Sequence, residues 1–148
     1  MIKLEKMKIR KATKKDFKEI AEILIKESSK KHYKEKYTFK KALKEIRKLS
    51  KKELYVSKNE KEIMGFIASS INLDDKKRAY IDELWLKLKY QKKGIGKEFM
   101  DFIEDKYKKK SVENIRLTTK RNAKALKFYK KINYKEYKEF VFMEKKLR

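Results

Sequence analysis

This chain of 148 residues holds only three glycines, and two of them fall in the stretch Gln91-Lys92-Lys93-Gly94-Ile95-Gly96. The stretch stands where a strand pattern over residues 80–88 gives way to a helical one, with Ile95, Phe99, Phe102, Ile103 and Tyr107 on one face. Glycine at a strand-to-helix junction signals a tight turn, or a ligand coming close to bare backbone. A helix start also leaves N–H groups unpaired, which suits an anion such as a pyrophosphate. Lys92, Lys93 and Lys97 add positive charge to the same spot. The junction reads as an anion cradle.

The helix between the strand patterns at 80–88 and 115–119 requires a crossover, hence a parallel, right-handed connection. Earlier elements read as a first strand over 7–12, then a helix carrying Phe17, Ile20, Ala21 and Leu24 behind an Asp16–Glu19 capping box. Thr38 is placed to cap a second helix with the stripe Phe39, Ala42, Leu43, Ile46 and Leu49. Strands are expected over 54–57 and 62–73, turning at Asn59-Glu60. A short helix over 122–131 and a closing pair of strands over 134–137 and 140–143 complete the order. This is an α/β chain with a mixed central sheet and helices on both faces, expected as a single domain over residues 1–148. Ligands at such sheets favour the carboxyl ends of parallel strands, where Gly94 and Gly96 would lie.

Composition removes several alternatives. There is no cysteine, so disulfides, thiolate chemistry and sulfur-ligated metals are excluded, and a single histidine, His32, argues against a His-based metal site. No apolar run reaches membrane-spanning length and no signal-peptide segment opens the chain, so a cytoplasmic location without membrane attachment is expected. The formal charge of +24 favours anionic contacts: nucleic acid, the ribosome, an acidic protein or a phosphorylated ligand. Six of the 46 basic residues are arginine, the residue that specific phosphate and base recognition favours, so nucleic-acid binding is not the preferred reading.

Two motifs carry a resemblance over nearly the whole chain. Gln91, Gly94 and Gly96 fit the pattern Gln/Arg-x-x-Gly-x-Gly/Ala, and Asn122, Ala125, Phe128, Tyr129, Asn133 and Tyr134 fit a later Asn-x-x-Ala-x-x-Phe-Tyr pattern. With them the chain resembles the GCN5-related N-acetyltransferase (GNAT) superfamily, which transfers acetyl from acetyl-CoA to an amine. Locally, Tyr80-Ile81-Asp82-Glu83-Leu84 is similar to small polyamine and aminoglycoside acetyltransferases.

The resemblance implies an acyl-CoA N-acyltransferase fold, acetyl-CoA as cosubstrate and direct attack by the amine in a ternary complex. It implies that Gln91, Lys92, Lys93, Gly94, Ile95, Gly96 and Lys97 hold the cofactor pyrophosphate. The strand carrying Leu84, Trp85 and Leu86 would splay from its parallel neighbour and pair through its backbone with the pantetheine arm. Asn122 either contacts pantetheine or caps its helix. Tyr129 would protonate the departing thiolate, against the plainer reading of a packed aromatic. Asp82 and Glu83 are the candidates for accepting the amine proton; as strand neighbours they point to opposite faces unless a bulge intervenes. His32, Tyr33 and Tyr37 would border the acceptor. The acceptor is a small polyamine-like molecule or a protein amine, and homodimers are common in the family. A second class of reading stays open: a non-catalytic basic module that engages nucleic acid or ribosome.

Overall fold

The computed structural model describes residues 8–31 and 33–148. His32 and Met7 lie outside the described residues. The elements are β1 (Lys8–Lys11), α1 (Phe17–Ser28), α2 (Phe39–Leu49), β2 (Glu53–Lys58), β3 (Ile63–Ile71), β4 (Arg78–Leu86), α3 (Ile95–Lys109), β5 (Asn114–Arg116) and α4 (Lys124–Lys131). The strands form one sheet in the order β1-β2-β3-β4-β5. Neighbours among the first four pair antiparallel; β4 and β5 are parallel, as the intervening helix α3 demands. The chain divides into two compact units at Thr118/Thr119.

In the first unit, one sheet face is covered by α1 and α2. Ile20, Ala21, Leu24, Ala42 and Ile46 meet Leu54, Val56, Phe66 and Ala68 there, all essentially inaccessible to water. The opposite face takes α3: the Tyr55 and Phe102 rings meet edge-on at 4.9 Å, and Ser69 and Tyr107 share a buried hydroxyl hydrogen bond of 2.6 Å. Alternate residues of β3 thus serve different helices, as the strand period requires. Helix starts follow local chemistry. Thr38 Oγ1 accepts from the Lys41 N–H at 3.2 Å and caps α2.

Two expectations are corrected here. Asp16 does not box with Glu19; it accepts the Thr13 N–H at 2.8 Å and a two-pronged Arg10 pair at 2.8 and 3.0 Å. The cap sits one turn earlier because a 3₁₀ turn over Lys14–Asp16 precedes α1. Glu19 is freed to accept the Ile63 N–H at 2.7 Å, joining α1 to β3. The closing strands are also not formed. In the second unit, residues 132–148 contain no strand, and Phe140 to Met143 are 71–90% exposed. Their apolar character suits a sheet surface, but a strand exists only where a neighbouring backbone completes its ladder.

Close approach of β3 and β4 depends on Gly65. A Cβ there would lie 2.3 Å from Leu86 Cδ2 and 2.6 Å from the Trp85 carbonyl oxygen. The side-chain contact could yield, the backbone one could not. Gly65→Ala is therefore expected to cost about 2–3 kcal/mol in urea unfolding, as overpacking does, with most of the loss arising at the β3–β4 pair.

Candidate active site

Between β4 and α3 the backbone makes an unusual turn. Lys92 and Gly94 both take left-handed conformations, φ 61° and 88°. Gly94 is the N-cap of α3, whose first internal bond runs from the Glu98 N–H to the Gly94 carbonyl at 3.1 Å. The N–H groups of Ile95, Gly96 and Lys97 therefore have no partner within the helix. A Cβ built on Gly94 would meet nothing within 4 Å, so the space over the turn is open. Left-handed residues beside a helix start turn successive N–H groups into an anion-binding concavity. These residues fit a pyrophosphate.

The strand leading into this turn is open on one side. β4 pairs with β5 only at Arg78, Ala79 and Tyr80. On its other edge it continues along β3 to Leu86. From Ile81 to Leu86, among the described residues, no strand occupies the β5 side. Leu84, Trp85 and Leu86 lie on this stretch; the Trp85 carbonyl lies toward Gly65 of β3, and the Leu86 carbonyl accepts from the Gln91 side chain.

A bulge decides the fate of the two acidic neighbours. Ser69 faces Ile81 and Ala68 faces Glu83, so Asp82 is the extra residue. Glu83 keeps the alternation of the residues after it, opposite Leu84, and shares the α1/α2 face with Ala68 and Trp85; Asp82, the inserted residue, is exposed. Burial pushes the Glu83 carboxyl up to about 7, against the Trp85 indole N–H that donates to it and with help from the charges of Glu35, Glu45 and Asp82. The neighbouring loop meets the same face. The Tyr33 ring stands edge-on to Trp85 at 4.8 Å. Tyr37 is raised to about 12 by burial, and then by Glu35, Glu83 and Glu45.

The side chain of Gln91 turns inward. Its Nε2 donates to the Leu86 carbonyl and to Glu27 Oε1, each at 2.9 Å. Lys97 reaches along α3 to Asp101 at 2.8 Å, leaving its backbone N–H as its contribution to the turn. Lys92 and Lys93 are exposed. A second anchor precedes them: Lys87 bridges Glu19 at 3.0 Å and Glu62 at 2.7 Å, and Tyr90 donates to Glu62 at 2.7 Å. Together with Lys89, which also pairs with Glu62, these donors hold its carboxyl down at about 2.

In the second unit Tyr129 is buried on α4, its ring 5.1 Å from Phe128 and 5.8 Å from Tyr134. Asn122 is exposed and does not cap α4; that position falls to Ala123.

Glu27, Glu35 and Glu45 were not singled out from sequence. Glu27 had a signal, since it continues the stripe Phe17, Ile20, Leu24 at helical spacing, where a carboxylate is out of place. The two others looked like ordinary surface acids.

Residues 17–134 match the profile of the Acetyltransferase (GNAT) family. The chain belongs to that family. It is an acetyltransferase, and a cosubstrate built on coenzyme A goes with that membership. No curated protein matches the sequence. Among solved structures it is similar to the PaiA N-acetyltransferase of Thermoplasma acidophilum in complex with coenzyme A, at 26% identity and TM-score 0.70, covering 88% of this chain and 90% of that one. A transcriptional regulator from Bacillus halodurans C-125 is also 26% identical, with TM-score 0.73 and coverage of 94% and 99%. A possible acetyltransferase from Clostridium difficile 630 shares the fold at TM-score 0.81 and 17% identity, covering 97% and 100%. Among the described residues, no helix is long and apolar enough to cross a membrane.

The raised Glu83 carboxyl has a cost in stability. The folded state holds this proton more tightly than the unfolded chain does, so folding loses stability as pH rises from the ordinary value of 4.5 through about 7. Glu83→Gln is expected to stabilise the protein by about 2–3 kcal/mol at pH 8 and to change little at pH 4, read by denaturant unfolding at both pH values.

Proposed function

We propose that residues 1–148 act as a single N-acetyltransferase domain that moves acetyl from acetyl-CoA to an amine by direct attack in a ternary complex. One observation carries this reading: the free edge of β4 runs into a left-handed turn at Gly94 and an open helix start. That is a continuous backbone track, hydrogen-bonding groups followed by an anion cradle, suited to a long ligand with a pyrophosphate. The family match runs across the boundary between the two compact units, which supports one working domain.

Acetyl-CoA, when bound, supplies a thioester open to attack by an amine. The N–H groups of Ile95, Gly96 and Lys97 hold its pyrophosphate, with Lys92 and Lys93 adding charge, and the backbone of Leu84, Trp85 and Leu86 lines its arm. Glu83 takes the proton from the incoming ammonium. A carboxyl near 7 is half ionised at neutral pH and is a stronger base than an ordinary glutamate. Asp82, exposed on the bulge, serves as a charge that attracts the ammonium. Tyr129 donates a proton to the sulfur as the C–S bond breaks, and Asn122 contacts the pantetheine arm.

The acceptor is a small polyamine-like molecule or an amine on a protein. A chain of net charge +24 repels cations at a distance. At Glu83 that field is reversed locally: Glu35, Glu45 and Asp82 all act on its carboxyl, and Tyr33, Tyr37 and Trp85 supply aromatic faces that attract an ammonium. This favours the small cationic amine.

The test is CoA thiol release with a panel of amines. Glu83→Gln should lower kcat/KM about 100-fold at pH 7, and less at pH 9, where more amine is already neutral. The wild-type rate should rise with pH through about 7. Tyr129→Phe should lower kcat about 10–100-fold and leave CoA affinity unchanged. A panel with no turnover would sink the enzyme reading. One observation favours a non-catalytic alternative. An open depression of about 550 Å³ along α2 is lined by Tyr37, Glu45 and the cations Lys41, Lys44, Arg47, Lys48 and Lys51. Salt-sensitive RNA binding without turnover would support it.

A further inference from the structure

Glu27 lies at the end of α1, only 3% exposed, between the fully buried Leu24 and Ser28. A carboxylate this far from water is tolerated when donors reach it. Two do, both on Oε1: Lys30 Nζ at 2.6 Å and Gln91 Nε2 at 2.9 Å. Gln91 is 64 residues away in sequence and opens the turn that leads to Gly94. The same Nε2 also donates to the carbonyl of Leu86, the last residue of β4, at 2.9 Å. An amide nitrogen carries two hydrogens, and each has its acceptor. The Gln91 side chain therefore clasps the end of the free strand edge to the end of α1, with the cradle turn attached to its own backbone.

We infer that Glu27 is a positioning residue for the cofactor site: by accepting from Gln91 it fixes the turn 91–94 against the end of β4. The N–H groups of the helix start are then held at a set distance from the strand edge before any ligand arrives. This deepens the acyl-CoA reading of the cradle and rests on it. The Gln91 backbone N–H also donates to the Leu88 carbonyl at 3.1 Å, a bond within the local turn that does not reach α1. The Lys87, Glu19, Glu62 and Tyr90 network ends one residue earlier, at Tyr90. Between Gln91 and the Gly94 carbonyl that begins α3, Lys92 and Lys93 are exposed. Preorganisation of this kind strengthens binding because less backbone freedom is lost on association.

The experiment is calorimetric titration of CoA into the wild type, Glu27→Ala, Gln91→Ala, the double variant and Glu27→Gln, with thermal unfolding of each. Glu27→Ala and Gln91→Ala should each weaken CoA about tenfold, and the double variant should be no weaker than Gln91→Ala, which already loses the Glu27 contact together with the bond to Leu86. Glu27→Gln keeps an oxygen that accepts from Gln91 while losing the ion pair with Lys30; it should bind CoA within about twofold of wild type. That rescue separates positioning from general stability, which the ion pair would also move. Wild-type affinity in Glu27→Ala, or losses that multiply in the double variant, would overturn the inference. Should Glu27→Ala not fold, Gln91→Ala and Glu27→Gln give the same decision. If the wild type binds no CoA, the cofactor reading itself fails. The clasp is then read in the ligand-free protein by hydrogen exchange at residues 92–95, faster in Gln91→Ala and unchanged in Glu27→Gln. Equal exchange in all three proteins sinks it.

Discussion

β4 carries the site, and for most of its length it is held from one side only. Its first three residues pair with β5; beyond them its only strand neighbour among the described residues is β3, with Gln91 holding the Leu86 carbonyl. A strand with an open edge invites pairing, and here that edge follows the end of a parallel pair and leads into a turn with open space over Gly94. The β3–β4 ladder must therefore supply the rigidity that a second neighbour would normally share. Gly65 allows that ladder to close tightly at Leu86, the residue from which the cradle turn departs. Loosening at this point would disturb the strand edge and the turn together.

The bulge at Asp82 turns a regular strand into a chemically divided one. Before it, Ile81 faces the α3 side with Ser69; after it, Glu83 faces the α1/α2 side with Ala68. One inserted residue thus moves a carboxyl from a parity that would place it under α3 to a half-buried position beside Trp85 and the loop preceding α2. Burial and three neighbouring acids then raise it to about 7, although the whole chain carries +24. Local geometry outweighs global charge because distant lysines act through water and salt, which screen them over about 10 Å.

The turn is anchored to α1 at two places. The buried Glu27–Gln91 contact ties it to the end of α1, and the Lys87–Glu62–Tyr90 network ties the preceding residues to Glu19 of α1 and to Glu62, just before β3. Acidic residues far apart in sequence, Glu19, Glu27 and Glu62, converge on a short basic and polar segment that alone would be a flexible loop. The observed left-handed turn is supported by side chains, with Gly94 removing the steric objection.

Much of this was legible in the residues. Helical and alternating periodicity located α1 to α4 and β1 to β5, because burial against a neighbour leaves its period in the chain; the crossover followed from connection handedness. The Gly94 turn was legible because few residues besides glycine accept φ near 88°. Local patterns could not say that residues 134–143 lack a sheet to join, since strand formation needs a partner supplied from elsewhere. They could not reveal the bulge at Asp82, which appears only when β3 and β4 are set in register, nor the role of Glu27, which needs a donor 64 residues away. Sequence by itself determined the elements as far as α4, their order and the glycine turn, all consequences of short-range sterics and periodic burial. Tertiary structure alone decided which carboxylates are buried and which way they face, since burial and register depend on groups far apart along the chain.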